Sequence, residues 1–432
     1  MRSPRPPLPV LIGIVALVAV ALAHSGEIHE RAADGLGRGM PARETELARG
    51  FVLGDDEGID AQTKEDFRRA GLSHLLAVSG QNVTLLALLA MPLMAALGIP
   101  LRERLVWVLG LIVVYVPLAG AGPSIQRAGV MGAVGVVATL SGRRASRLYA
   151  LLLALGVTLA VDPGVAADIG WQLSFAAVAG IFLLAGPLRG AIAARIGAGG
   201  WRRALAEGAA VTIAATLATA PLIAFHFETL STTTLVANLA AMPAVAPAMW
   251  LGMASAAASQ VPGLPVEALN WVNALLLGYI AQVATWCGRP SWAQLDVRLG
   301  SGGLLASYLV LAGAVLCALR LGRQRRLAAA RRRGRQGPPA AKGRGHGPRS
   351  LQLTVGALAL LVLSATLVLS GGGSAATGPA SGLRVEVLDV GQGDAILLQP
   401  AGAPAVLVDG GPPGEDLAAK LEDAGVERLG AV

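Results

Sequence analysis

Ile169-Gly-Trp-Gln-Leu-Ser-Phe-Ala-Ala-Val-Ala-Gly-Ile-Phe-Leu-Leu-Ala-Gly-Pro187 runs for nineteen residues without a charged side chain. A straight helix needs about 20 apolar residues to cross the hydrocarbon core of a bilayer. This stretch meets that length, and it has company. Apolar segments recur at roughly 72–97, 105–118, 123–141, 146–161, 204–225, 238–257, 266–287, 303–320 and 350–370. Several are short for a straight crossing, so tilted, broken or re-entrant segments are expected among them. Across 432 residues, 54% are hydrophobic and 14% charged, and the mean hydropathy is +0.61. Such a chain is excluded as a water-exposed globule. Aromatics are only 4% against 56 glycines, which suits helices packed closely through small residues. The expected fold is an all-α polytopic membrane bundle of about ten or eleven transmembrane or re-entrant helices.

Near the start, Arg2 and Arg5 precede the apolar run Leu8–Ala23, which ends Ala21-Leu22-Ala23. Residues 1–23 read as a cleavable signal peptide or as a retained signal anchor. Residues 24–70 are polar with an acidic excess and read as an external segment with an amphipathic helix. With the N-terminus inside, the cytoplasmic loops are Arg102–Arg104, Gly142–Arg147, Arg189–Arg203 and Arg320–Arg349, and all are basic. The outer loops Asp162–Asp168 and His226–Thr233 carry no Lys or Arg. The positive-inside rule therefore orients the chain and places residues after 371 outside. Eleven Lys/Arg and no acid fall between Arg320 and Arg349, so the formal +8 leaves −3 on the remainder. This local tract, 321–349 in the domain scheme, reads first as a cytoplasmic loop and second as a nucleic-acid-binding arm. Cys287 and Cys317 fall near opposite membrane faces, which argues against a disulfide.

After the last expected span, 350–370, residues 371–382 form a Gly/Ser/Ala/Pro linker. The period then changes to two. Leu383–Val390, Ala395–Gln399 and Ala405–Val408 read as short strands separated by glycine turns, and Asp416–Ala424 as an amphipathic helix. Fifty residues are few for a stable domain of this kind, so 383–432 reads as the start of a truncated one.

The window Phe67–Leu86 is rich in groups that a membrane helix does not need. His74, Ser79, Gly80, Gln81 and Asn82 must each find a protein partner or a water-filled cavity. They read as a helix–helix hydrogen-bond cluster or as the wall of a hydrated path. Further candidates are Arg127, which could face phosphates or simply snorkel, then Gln172, Ser174 and Asn238. Asn238 precedes a segment, Ala240–Pro247, expected to be broken at its prolines. Thr212, Thr216 and Thr219 share one helical stripe.

At these residues the sequence resembles the ComEC family of competence proteins, inner-membrane channels for DNA uptake. The resemblance rests on Gly71–Val83 (G-L-S-H-L-L-A-V-S-G-Q-N-V), Pro123–Ala128, Gly142–Arg144, Asp162-Pro163, Gly170–Phe175, Pro221–Phe227 and Ala237–Pro243, in order across about 45–260. It implies a competence membrane domain at 71–320 in the bacterial cytoplasmic membrane. The implied cargo is single-stranded DNA. A DNA receptor, a cytoplasmic motor and self-association are the implied partners besides the lipid bilayer. His74, Ser79, Gly80, Asn82, Arg127, Gln172, Ser174 and Asn238 become channel candidates. The tail resembles the beginning of a metallo-β-lactamase-like domain, through Leu388–Ala395 and Val408–Gly411. Asp389 and Asp409 would then stand behind the ligands of a metal and orient them, with Asp394 nearby. The His/Asp run that would bind a divalent metal is expected beyond Val432, so neither a cofactor nor nuclease catalysis is expected of these residues. Many relatives carry histidine where Asn82 stands. Many also carry an OB-like external domain for which 24–45 is too short. An anchor for an external metal-dependent hydrolase and a non-functional fragment are the alternatives. A small-molecule transporter is disfavoured, since no inverted repeat is visible.

Overall fold

The computed structural model describes residues 8–76, 80–142, 146–197, 199–315, 383–388, 395–401, 403–409 and, further on, 417, 421, 424, 426 and 428–431. They fall into two units, Met1–Leu367 and Val368–Val432. In the first, α1 (Leu8–Ala23) is followed by α2 (Ser25–Gly37), α3 (Ala42–Leu53), α4 (Ala61–Arg69) and the single turn α5 (Ser73–Leu76). Then come α6 (Gly80–Ala96), α7 (Leu101–Leu118), α8 (Pro123–Leu140), α9 (Arg147–Val161), α10 (Ile169–Ile196), α11 (Gly200–His226), α12 (Thr234–Ala258), α13 (Glu267–Gly288) and α14 (Ser301–Val315).

Nine of the ten apolar segments after α1 thus coincide with described helices; 350–370 lies outside the described residues. Three helices, α10, α11 and α12, are long and apolar enough to cross a membrane. The helices α6, α9 and α14 are apolar but shorter. The expected break at Ala240–Pro247 is corrected: α12 runs unbroken through Pro243 and Pro247. A proline removes only its own N–H from the ladder, and close neighbours can re-satisfy the freed carbonyl.

Residues 24–70 fold into three helices whose large side chains enter the main core. Leu36, Phe51 and Phe67 are fully buried, and the two rings meet edge to face at 6.3 Å. Gly71 sits at φ 72° where a Cβ would overlap the Thr234 side chain, so the chain turns there against the start of α12. A second core gathers Leu151, Ala154, Trp171 and Phe175 from α9 and α10. A two-stranded ribbon, β1 (Thr229–Ser231) antiparallel to β2 (Gln294–Asp296), ties the start of α12 to the segment after α13.

The second unit holds a four-stranded sheet of order β3 (Leu383–Leu388), β4 (Ala395–Pro400), β5 (Ala405–Val408), β6 (Leu429–Ala431). The first two pairings are antiparallel and the last is parallel. Ala395, Leu397, Ala405 and Leu407 bury one face under Leu417, Leu421 and Ala424. On the opposite face Val385, Val387 and Val408 are exposed.

Candidate functional site

Several of the polar residues singled out in the sequence gather where α8 and α10 begin and α9 and α11 end. Helices that alternate in direction bring these termini to one level, and hydrogen bonds join them. Ser174 Oγ donates to Ser124 Oγ at 2.9 Å, linking α10 to α8. Gln172 Nε2 donates to the Ala166 carbonyl, and Gln172 Oε1 meets His226 Nε2 at 2.9 Å, linking α10 to the end of α11. Trp171 Nε1 donates to Thr158 Oγ1 at 3.0 Å, and Asp168 caps α10 through the Trp171 amide. Midway along α11, Asn238 Nδ2 donates to Thr212 Oγ1 at 3.1 Å, linking α12 to α11. Of the threonine stripe, Thr219 turns back on its own helix, donating to the Ala215 carbonyl. The opposite helix ends carry the cations: Arg102 and Arg104 on α7, Arg147 on α9, Arg189 and Arg195 on α10, Arg202 and Arg203 on α11.

Arg127, in the second turn of α8, does not snorkel. It is 6% exposed, and its guanidinium lies 5.8 Å from the centre of the Phe175 ring. Gly80 makes room for it: a Cβ there would stand 3.0 Å from Arg127 Nη2 and 2.9 Å from Ala128 Cβ. Asn82 belongs to a different neighbourhood. It is 5% exposed, and its Nδ2 donates to the Phe51 carbonyl at 2.8 Å and to Tyr115 Oη at 3.2 Å. Tyr115 in turn donates to the Val52 carbonyl at 2.7 Å. The last turn of α3 leaves carbonyls without intrahelical partners. Gly54 takes those of Arg49 and Gly50, while α6 and α7 supply donors for the next two. Asn82 therefore sits in a hydrogen-bond cluster with the end of α3 and with α7. His74 is exposed, and Ser79 lies outside the described residues.

Sequence reasoning passed over a second polar set. Asn270, fully buried on α13, donates to the carbonyls of Gly35 and Arg38 and so closes α2. Asp66 is 3% exposed and accepts from Thr285 Oγ1 at 2.7 Å and from Gln62 at 2.9 Å. A polar residue inside an otherwise apolar run was the available signal at Asn270 and Thr285. In the second unit Asp409 follows β5 with φ 62°, while Asp389 and Asp394 lie outside the described residues. Among the described residues no three His, Cys, Asp or Glu side chains converge as metal ligands would.

A family model described as "Competence protein" matches residues 51–323. ComE operon protein 3 of Bacillus subtilis (strain 168) is 26% identical over 204 residues, which cover 47% of this chain and 25% of that protein. The match therefore takes in about a quarter of that relative's length. No solved structure matches the chain.

Proposed function

The chain belongs to the competence protein family, and from that premise we propose that it forms part of a membrane path by which single-stranded DNA enters the cell. The observation that carries this reading is the polar layer at one end of α8–α11, with a cation inside it. Helices in lipid do not need such a layer, and intramembrane polar groups mark transport paths by default. A strand of DNA needs polar and cationic groups to follow its phosphates, without a tight site that would stall it. The cations at the opposite helix ends support an external position for the polar layer by the positive-inside rule. His74, Gly80, Arg127, Gln172 and Ser174 border the path on this reading. Asn82 and Asn238 hold its wall together.

The multi-pass count of about ten or eleven helices, the bacterial cytoplasmic membrane and the external position of the second unit belong to the same proposal. A DNA receptor, a motor on the inner side and self-association are its expected partners. For the second unit, the sheet with Asp409 at the end of β5 supports reading it as the first part of a metallo-β-lactamase-like domain. In a full-length form that domain would use a divalent metal.

The test is uptake of fluorescently labelled DNA by a transformable bacterium deleted for its own family member and supplied with this chain. Labelled single strands should reach the cytoplasm. DNA that stays at the surface, with the chain correctly inserted, refutes the path.

A further inference from the structure

Among the described residues two charged side chains are buried, Asp66 and Arg127. Asp66 has its donors. Arg127 is starved: its Nε and Nη1 are shut away from solvent with no hydrogen-bond partner. The helices around it, α6, α8 and α10, contain no Asp or Glu, and Asp168, which caps α10, accepts from the Trp171 amide. The local field adds to the deficit. The helix α8, of 18 residues, begins one turn before Arg127, and Gly80 meets Arg127 and Ala128. The positive end of the α8 dipole thus lies beside a cation. No side chain caps α8, since its N-cap is Gly122.

An arrangement with surplus donors, surplus positive potential and no internal counter-ion is completed by an anion. We propose that Arg127 is the point at which the path takes hold of a phosphodiester group of single-stranded DNA. The proposal rests on the DNA-path reading above. A phosphodiester carries one negative charge on two free oxygens, which matches two parallel N–H groups of a guanidinium. The structure then describes the closed state. Opening α6 away from α8 at Gly80 admits the strand, and the phosphate satisfies donors that the closed state leaves unpaired. The ligand therefore favours the open state by differential contacts, as any ligand-driven shift requires. A single such contact holds weakly enough to let the strand move on. A lipid headgroup offers the same chemistry, but Arg127 is enclosed by three helices and does not sit on the outer surface.

The experiment uses the whole chain in dodecyl maltoside and a fluorescent oligo-dT of about 16 nucleotides, with binding followed by anisotropy between about 50 and 200 mM salt. Loss of one phosphate contact on a single strand lowers the slope of log K against log salt by about 0.7. R127Q is expected to show that drop and R127K to keep the slope. An R127Q slope equal to wild type overturns the proposal while leaving DNA uptake standing. Wild-type protein that binds no oligo-dT overturns both. If phosphatidylglycerol added to the micelles raises the unfolding temperature of wild type but not of R127Q, and the dT slopes agree, the guanidinium belongs to lipid and the proposal fails. Should R127Q not fold, a folded R127K with unchanged dT affinity, despite losing the paired N–H groups, overturns it.

Discussion

Asn82→Leu changes little in volume and removes the donor that satisfies the Phe51 carbonyl at 2.8 Å. That carbonyl is enclosed at the end of α3, with Phe51 itself 2% exposed. Stranding a buried acceptor costs about 1–3 kcal/mol, which corresponds to a fall in unfolding temperature of roughly 2–6 °C for a domain of a few hundred residues. Asn82→His keeps a ring N–H on offer and should recover much of the loss. Tyr115→Phe strands the Val52 carbonyl in the same way. Because both residues finish one helix end, the double mutant should depart from additivity by at least about 0.5 kcal/mol. Thermal unfolding of the purified chain in detergent reads the four variants against wild type. Thiol labelling gives a second, independent reading once Cys287 and Cys317 are replaced by serine: a cysteine at position 74 should react with an aqueous reagent and one at 82 should not. If Asn82→Leu melts with wild type, or position 82 labels as fast as 74, then water and not α3 surrounds this side chain, and the account of the cluster is wrong.

Gly80→Leu drives a side chain into Ala128 and the guanidinium of Arg127; it should abolish DNA uptake at normal membrane insertion, and undiminished transformation would remove Gly80 from the path. Gly288→Ala sets a Cβ 2.6 Å from the Asp66 carbonyl oxygen, so α4 and α13 must part, at a cost of about 1–3 kcal/mol visible as a lower unfolding temperature. Asp60 caps α4 by accepting from the Thr63 amide at 2.8 Å, and Asp60→Ala should cost about 1 kcal/mol. The hydrogen bonds from Thr63 hold the Asp60 carboxyl below the usual aspartate value. Its contribution is thus full above that ordinary value and is lost as pH falls through the lowered one. Wild type and Asp60→Ala should therefore converge in stability in strong acid and differ at neutral pH; a gap that persists in acid would refute this.

How much of this was legible in sequence follows the physics of each signal. Helices α6–α13 announce themselves as apolar runs bounded by Gly, Pro or charge, because lipid demands length and hydropathy. The burial of α2–α4 was missed because their apolar residues are diluted by charge. Yet Ala32 and Leu36, then Leu47, Ala48, Phe51 and Val52, then Thr63 and Phe67 keep helical spacing, and all of them are buried. β1 and β2 are three residues each and far apart in the chain, too short to leave an alternating pattern. The list of polar residues could be read; their partners could not. Nothing local distinguishes Asn82, paired with a carbonyl 31 residues away, from Arg127, which is paired with nothing through Nε and Nη1. Burial by other helices makes that difference.

The unfinished end of α3 also dictates an order of events during synthesis. Tyr115, which closes the Val52 carbonyl, lies 63 residues downstream. At about 5–20 residues per second the ribosome reaches it roughly 3–13 s later. Until then the nascent α3 must keep its C-terminal turn hydrated or protected by a chaperone. Docking of this early segment therefore waits for α6 and α7 to be made, and translation speed through 54–115 becomes a lever on the yield of correctly assembled protein.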